Sequence, residues 1–97
     1  KEFPKTILGN AFETFVFLEL MKAGKKVNFW RTTQKQEIDF IISGKKLYAI
    51  EAKYDFNKAN LKNLRLFTDT YKCDGTIIGL NGKKNGKYIW ELLKELE

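Results

Sequence analysis

A chain of 97 residues has room for one domain and excludes a second, and folding buries roughly 60–65% of the surface that its extended form exposes. Apolar residues make up 43% and aromatic residues 14%, eight of them phenylalanine, which excludes a disordered chain. Eighteen Lys and Arg against twelve Asp and Glu leave a charge of +6, which suits a polyanion such as nucleic acid, although a solvated lysine-rich surface accounts for it equally well.

The start, Lys1-Glu2-Phe3-Pro4, lacks the apolar core of a signal peptide, and a first residue other than methionine reads as an excised part of a longer chain. The expectation is therefore an intracellular, cytoplasmic protein. Residues Ile7 to about Lys22 carry the strongest helical pattern, with Gly24 placed to end it. Ile7, Leu8, Ala11, Phe12, Phe15, Val16, Phe17, Leu18, Leu20 and Met21 cover nearly every side, so this helix is expected to be central and mostly buried. The longest apolar stretch, Phe15 to Met21, is broken by Glu19 and is too short to span a membrane. Glu13 shares a helical face with Val16, Phe17 and Leu20, where a carboxylate is costly without a partner. The alternative is a helix-end glutamate that reaches solvent.

Lys26 to Arg31 reads as a first strand, followed by a polar turn from Thr32 to Gln36. Ile38-Asp39-Phe40-Ile41-Ile42 reads as a second strand, returning through Ser43-Gly44-Lys45-Lys46 into a third, Leu47 to Tyr54. Register decides what this hairpin brings together, because a slip of one residue sends side chains to the opposite face. A two-residue loop would set Asp39 against Ile50. A three-residue loop, Gly44-Lys45-Lys46, pairs Ser43 with Leu47 and sets Asp39 opposite Glu51 and Glu37 opposite Lys53; this register is predicted. Glu51 and Lys53, two apart on a strand, leave the same face. Two close carboxylates raise each other's pKa unless a cation relieves them, which is the case for a metal ion between Asp39 and Glu51.

Beyond the hairpin, Asn57 or Asn60 is placed to cap a second helix whose apolar line is Leu61, Leu64, Phe67 or Thr68, and Tyr71, with Lys58, Lys62 and Arg65 outward. Thr76 to Leu80 reads as a short buried strand. A basic turn, Asn81 to Gly86, then leads through Lys87-Tyr88-Ile89-Trp90 to a terminal helix over Glu91 to Leu96. Trp90, Leu92, Leu93 and Leu96 are expected to clamp the tail, and Phe29, Trp30 and Phe40 to pack on the first helix. The order αβββαβ with a short β/α tail predicts an α/β fold over residues 1–97. In it a mixed sheet is flanked by helices, and a right-handed crossover joins strands three and four.

The chain has no histidine and one cysteine, Cys73, which removes zinc sites, Cys/His catalysis and an internal disulfide. A metal ion here would be hard and oxygen-bound, Mg²⁺ or Mn²⁺ held by Asp and Glu. Protons would be moved by carboxylate, lysine, tyrosine or metal-bound water.

Glu on the first helix, Asp on the second strand and Glu51-Ala52-Lys53 on the third resemble the PD-(D/E)XK nuclease superfamily, with its restriction-endonuclease-like fold, over Gly9 to Leu80. More narrowly, Leu8-Gly9-Asn10-Ala11-Phe12-Glu13 with Phe15 to Leu20, then Glu37-Ile38-Asp39-Phe40 and Ile50-Glu51-Ala52-Lys53-Tyr54, is similar to the domain of uncharacterised function that lies C-terminal to an AAA+ ATPase module. The resemblance implies that Asp39 and Glu51 hold a divalent ion with the backbone carbonyl of Ala52, and that Glu13 completes the inner or outer shell. Lys53 would orient or help deprotonate the attacking water. It further implies a divalent-metal-dependent DNA endonuclease yielding 5′-phosphate and 3′-hydroxyl ends, an upstream ATPase module in the full-length chain, and a homodimer as in many nucleases of this fold. Ile38 replaces the family's proline, and Asn57, Asn60 and Asn63 stand where some active members carry glutamine.

The chain itself has no G-x-x-x-x-G-K phosphate loop, so ATP binding is not expected of it. The competing reading is a non-catalytic DNA- or protein-binding accessory module. A third makes Trp30, Tyr48, Tyr54 and Phe56 a base-stacking platform.

Overall fold

The computed structural model describes residues 5–97; the expectations placed on residues 1–4 and on the Ile7 side chain lie outside the described residues. Four strands, β1 (Lys26–Arg31), β2 (Glu37–Ser43), β3 (Tyr48–Ala52) and β4 (Asp74–Ile78), form one mixed sheet in the order β1-β2-β3-β4. β1, β2 and β3 pair antiparallel in turn, and β4 joins β3 in parallel after the helix α2 (Leu61–Tyr71). Helices α1 (Lys5–Lys22) and α3 (Ile89–Glu95) cover one face, where Phe12, Val16, Leu20, Ile89 and Leu92 meet Phe40, Ile42 and Ile50. α2 covers the other, setting Leu64 and Phe67 against Ile41, Ala49 and Ile77. The chain is thus α/β, a four-stranded mixed sheet flanked by helices. Among the described residues no helix is long and apolar enough to cross a membrane.

Local signals explain the element ends. Gly24, at φ 75°, turns the chain out of α1, and the Lys25 amide closes the last turn on the Leu20 carbonyl at 3.1 Å. Asn60, rather than Asn57, caps α2, its Oδ1 accepting from the amides of Lys62 at 3.0 Å and Asn63 at 3.4 Å. Asn57 is instead drawn into a turn by Asp55, whose Oδ1 accepts from the Asn57 amide. Lys58, Lys62 and Arg65 are exposed as expected.

Several packing expectations are corrected. α1 buries Phe12, Val16 and Leu20 but leaves Phe15 46%, Leu18 51% and Met21 51% exposed, because a helix lying on a sheet is covered along one side only. Leu64 and Phe67 of α2 are buried, whereas Leu61 and Tyr71, at the ends of the helix, are not. Phe29 and Phe40 do stack with Phe17 of α1, at 6.4 and 6.0 Å. Trp30 lies instead edge-on to Phe67 of α2 at 5.1 Å, since neighbouring residues of a strand point to opposite faces.

At the carboxyl ends of β3 and β4, the chain leaves the sheet earlier than Leu80. Gly79 lies against Phe56, and a Cβ there would stand 2.7–2.8 Å from the ring. Phe56 is itself fully buried, which removes it from a stacking platform, and Tyr54 packs edge-on to Phe12. α3 starts at Ile89, and Ile89 and Leu92 are buried while Trp90 is 57% exposed, outside the expected clamp.

Candidate active site

β2 and β3 pair Phe40 with Ile50, Ile41 with Ala49 and Ile42 with Tyr48. This is the register of the three-residue turn, and one further step along it sets Asp39 opposite Glu51. The ladder nevertheless stops at Phe40, while β2 stays paired with β1 as far as Glu37. Between the Asn28/Ile41 and Trp30/Ile38 pairs, Phe29 alone stands against both Asp39 and Phe40, a β-bulge that bends β2 at the aspartate. Where a backbone bond between β2 and β3 would continue, the Ala52 amide donates to Asp39 Oδ2 at 2.8 Å.

The parting strands open a cleft of about 640 Å³. Glu13 enters it from α1, Asp39 from β2, Glu51 from β3, and Lys53 from the residue after β3 has ended. All four residues singled out in the sequence therefore line one cavity. Glu37 lines it too, but it is drawn to Arg31 at 3.3 Å, its cross-strand partner in β1, rather than to Lys53. The sequence reading did not assign Arg31, Lys35 and Lys58 to this wall, nor the amides Asn60 and Asn63 from the start of α2. The signals for the asparagines were the cap position of Asn60 and the resemblance, which puts glutamine in their place in some active members; nothing in the spacing of the three cations sets them around one cavity.

Electrostatics separate the two facing acids. Glu51 is 5% exposed, and burial first, then the Asp39 carboxylate, push its carboxyl up to about 8, against the opposing pull of Lys53. Glu13, only partly buried, is also raised, by burial first and then by Asp39, with Lys53 opposing and Glu37 adding to the rise. Near neutral pH, Glu51 therefore holds a proton in the absence of a further cation.

Among the described residues, no three His, Cys, Asp or Glu side chains form a group able to hold a metal ion. Glu13 reaches the cleft from α1 rather than from the strand pair. Asp39, Glu51 and the Ala52 carbonyl remain an oxygen-only set. Mg²⁺ suits such a set, since it commonly takes one or two carboxylates and keeps several waters. A cation would relieve the Asp39–Glu51 repulsion that now raises Glu51, so the residues fit such an ion. Cys73 does not line the cleft.

No curated protein and no solved structure matched the chain. A family model described as Domain of unknown function (DUF4143) matches residues 8–93 and so takes in every residue of the cleft named above. With 86 of 97 residues aligned to that model (8–93 inclusive), the chain belongs to the DUF4143 family.

Proposed function

We propose that the cleft is the active site of a divalent-metal-dependent DNA endonuclease domain with a restriction-endonuclease-like, PD-(D/E)XK core. The observation that carries this reading is the hairpin register, which sets Asp39 against Glu51 at the point where β2 and β3 part, with Lys53 and Glu13 lining the same cavity. Asp39, Glu51 and the Ala52 carbonyl would hold Mg²⁺ or Mn²⁺, and Glu13 would complete the inner or outer shell. The ion, when bound, supplies charge for a phosphate oxygen and lowers the pKa of a water. Lys53 would orient that water for attack on phosphorus and offset the charge that builds on the phosphate oxygens as the new P–O bond forms and the P–O3′ bond breaks, the 3′-oxygen taking its proton from solvent. Arg31, Lys35 and Lys58 hold the flanking phosphates. In a full-length chain the domain would serve an upstream ATPase module in the cytoplasm.

Cleavage of plasmid, single-stranded and four-way-junction DNA with Mg²⁺ or Mn²⁺ tests this. Asp39→Ala and Lys53→Ala should each lower the rate by about 10²-fold or more. A native protein that cuts none of the three substrates with either metal would sink the catalytic reading.

A second reading, a non-catalytic DNA-binding module, draws on the absence of a three-carboxylate group among the described residues and on the proton that burial holds on Glu51. It predicts DNA binding that Asp39→Ala leaves unchanged, with no cleavage.

A further inference from the structure

The end of β4 links the cleft to a second feature. The Lys53 amide donates to the Ile78 carbonyl at 2.9 Å, and the Lys87 amide donates to the adjacent Ile77 carbonyl at 2.8 Å from the other side of the strand. Lys53 and the Lys87-Tyr88 segment therefore flank one strand, roughly 10 Å apart at two interstrand spacings. The loops carrying them are tied together as well, the Phe56 amide donating to the Asn81 carbonyl at 2.9 Å and the Leu80 amide to the Tyr54 carbonyl at 3.0 Å.

On this second segment the Tyr88 ring rests edge-on against buried Phe56, with centroids 5.7 Å apart. Trp90 stacks on Tyr88 at 4.6 Å with the planes 15° apart, and Lys84 Nζ stands 4.5 Å from the Tyr88 centroid. Trp90 is nonetheless 57% exposed. An aromatic pair, anchored on the core and bordered by Lys84, thus presents an indole to solvent. Lys84 and Lys87 are held by Glu91 and Glu95 in exposed ion pairs, which hold a lysine only weakly against a competing phosphate.

We infer that Trp90 on Tyr88 is a base-stacking site for an unpaired nucleotide of a nucleic-acid strand whose backbone also runs through the cleft. The inference rests on the cleft taking nucleic acid, though not on its hydrolysing it. The roughly 10 Å between the Lys53 and Lys87 backbones equals about three rises of 3.4 Å in a stacked strand, so a strand passing Lys53 comes to the segment that carries Tyr88 within a few nucleotides. Stacking requires a free base face, so the preferred substrate class is nucleic acid with a single-stranded segment beside the scissile bond.

The test is titration of the native protein with oligothymidylate in EDTA, reading tryptophan fluorescence and, separately, anisotropy of a labelled oligonucleotide. The chain has two tryptophans; Trp30 is packed on Phe67 but lies half-buried between the cleft residues Phe29 and Arg31, so the quenching assigned to Trp90 is the part that Trp90→Phe removes. Quenching that saturates with binding is expected, lost in Trp90→Phe, with affinity about tenfold weaker in Trp90→Ala and largely kept in Trp90→Phe. Binding without quenching, an unchanged affinity in Trp90→Ala, or no binding at all would overturn it. Asp39→Ala separates the two readings. Quenching retained by this variant, alongside a native protein that never cuts, rejects hydrolysis and leaves the stacking site standing; cleavage by a native protein whose Trp90 is never quenched does the reverse.

Discussion

The Ala52 amide donates to Asp39 Oδ2 at 2.8 Å, across the point where β2 and β3 cease to pair. One carboxylate thus closes the sheet locally and also faces Glu51, whose proton affinity it raises. The same contact holds the Ala52 backbone in place beside the two acids, so architecture and chemistry are coupled at one residue.

Asp39→Asn keeps an acceptor for the Ala52 amide while removing the charge, and Asp39→Ala removes both. The Ala variant should lose about 1–3 kcal/mol of stability for the orphaned amide, less whatever it gains by relieving Glu51. The Asn variant should lose less, and both should abolish metal binding. Chemical denaturation with metal titration checks this; equal stability of the two variants would remove the structural role assigned to the hydrogen bond.

Glu51 makes folding stability depend on pH. Its carboxyl lies near 8 in the folded chain against 4.5 as the ordinary value, so the folded state binds the proton more tightly than the unfolded state. The stabilisation is complete below pH 4.5 and is lost as pH rises through about 8. Glu51→Gln should flatten this window, changing the native-minus-variant difference by a few kcal/mol, on the order of 1.4 per pH unit of separation. Urea midpoints measured across the window that run parallel in both proteins would contradict the burial argument.

Metal affinity should show the opposite trend. Glu51 must lose its proton to ligate, so the rise in melting temperature caused by saturating Mn²⁺ should grow from pH 6 to pH 9, roughly tenfold in affinity per unit until Glu51 is ionised. Glu51→Gln should show little rise at either pH. A pH-independent shift in the native protein would place the ion elsewhere.

DNA affinity should fall steeply with salt, and Arg31→Ala, Lys35→Ala and Lys58→Ala should each reduce the log–log slope by about 0.9 for every duplex phosphate contact removed. Lys45→Ala, in the β2–β3 turn at the other end of the hairpin, should leave the slope unchanged. Equal slopes in all four variants would separate the cations of the cleft from binding.

Gly86→Ala tests the segment that carries Tyr88. A Cβ there would stand 2.1 Å from the Ile77 carbonyl oxygen, which the Lys87 amide needs. Overpacking of this kind should cost about 1–3 kcal/mol, or more because the obstacle is backbone. It should also loosen the Trp90 stack, seen as a red-shifted emission; a native-like melting curve would show the turn to be more adaptable than its geometry implies.

The alternation in β2 and β3, the three-residue turn with its glycine and the absence of histidine were legible in the chain, because they depend on residues a few positions apart. They set the hairpin register and the Asp39–Glu51 juxtaposition, with no histidine beside it. Tertiary structure alone decided which side of α1 is covered, that Trp30 turns toward α2 while Phe29 does not, and that the β1–β2 pairing carries a bulge at Asp39. It also decided that Arg31, Lys35 and Lys58 border the same cavity as Glu13. Local periodicity says how much apolar surface an element offers. Which neighbour covers it, and which distant charges then share a low-dielectric cleft, depends on how whole elements pack, and that is settled by the summed burial and repulsion of residues far apart in the chain.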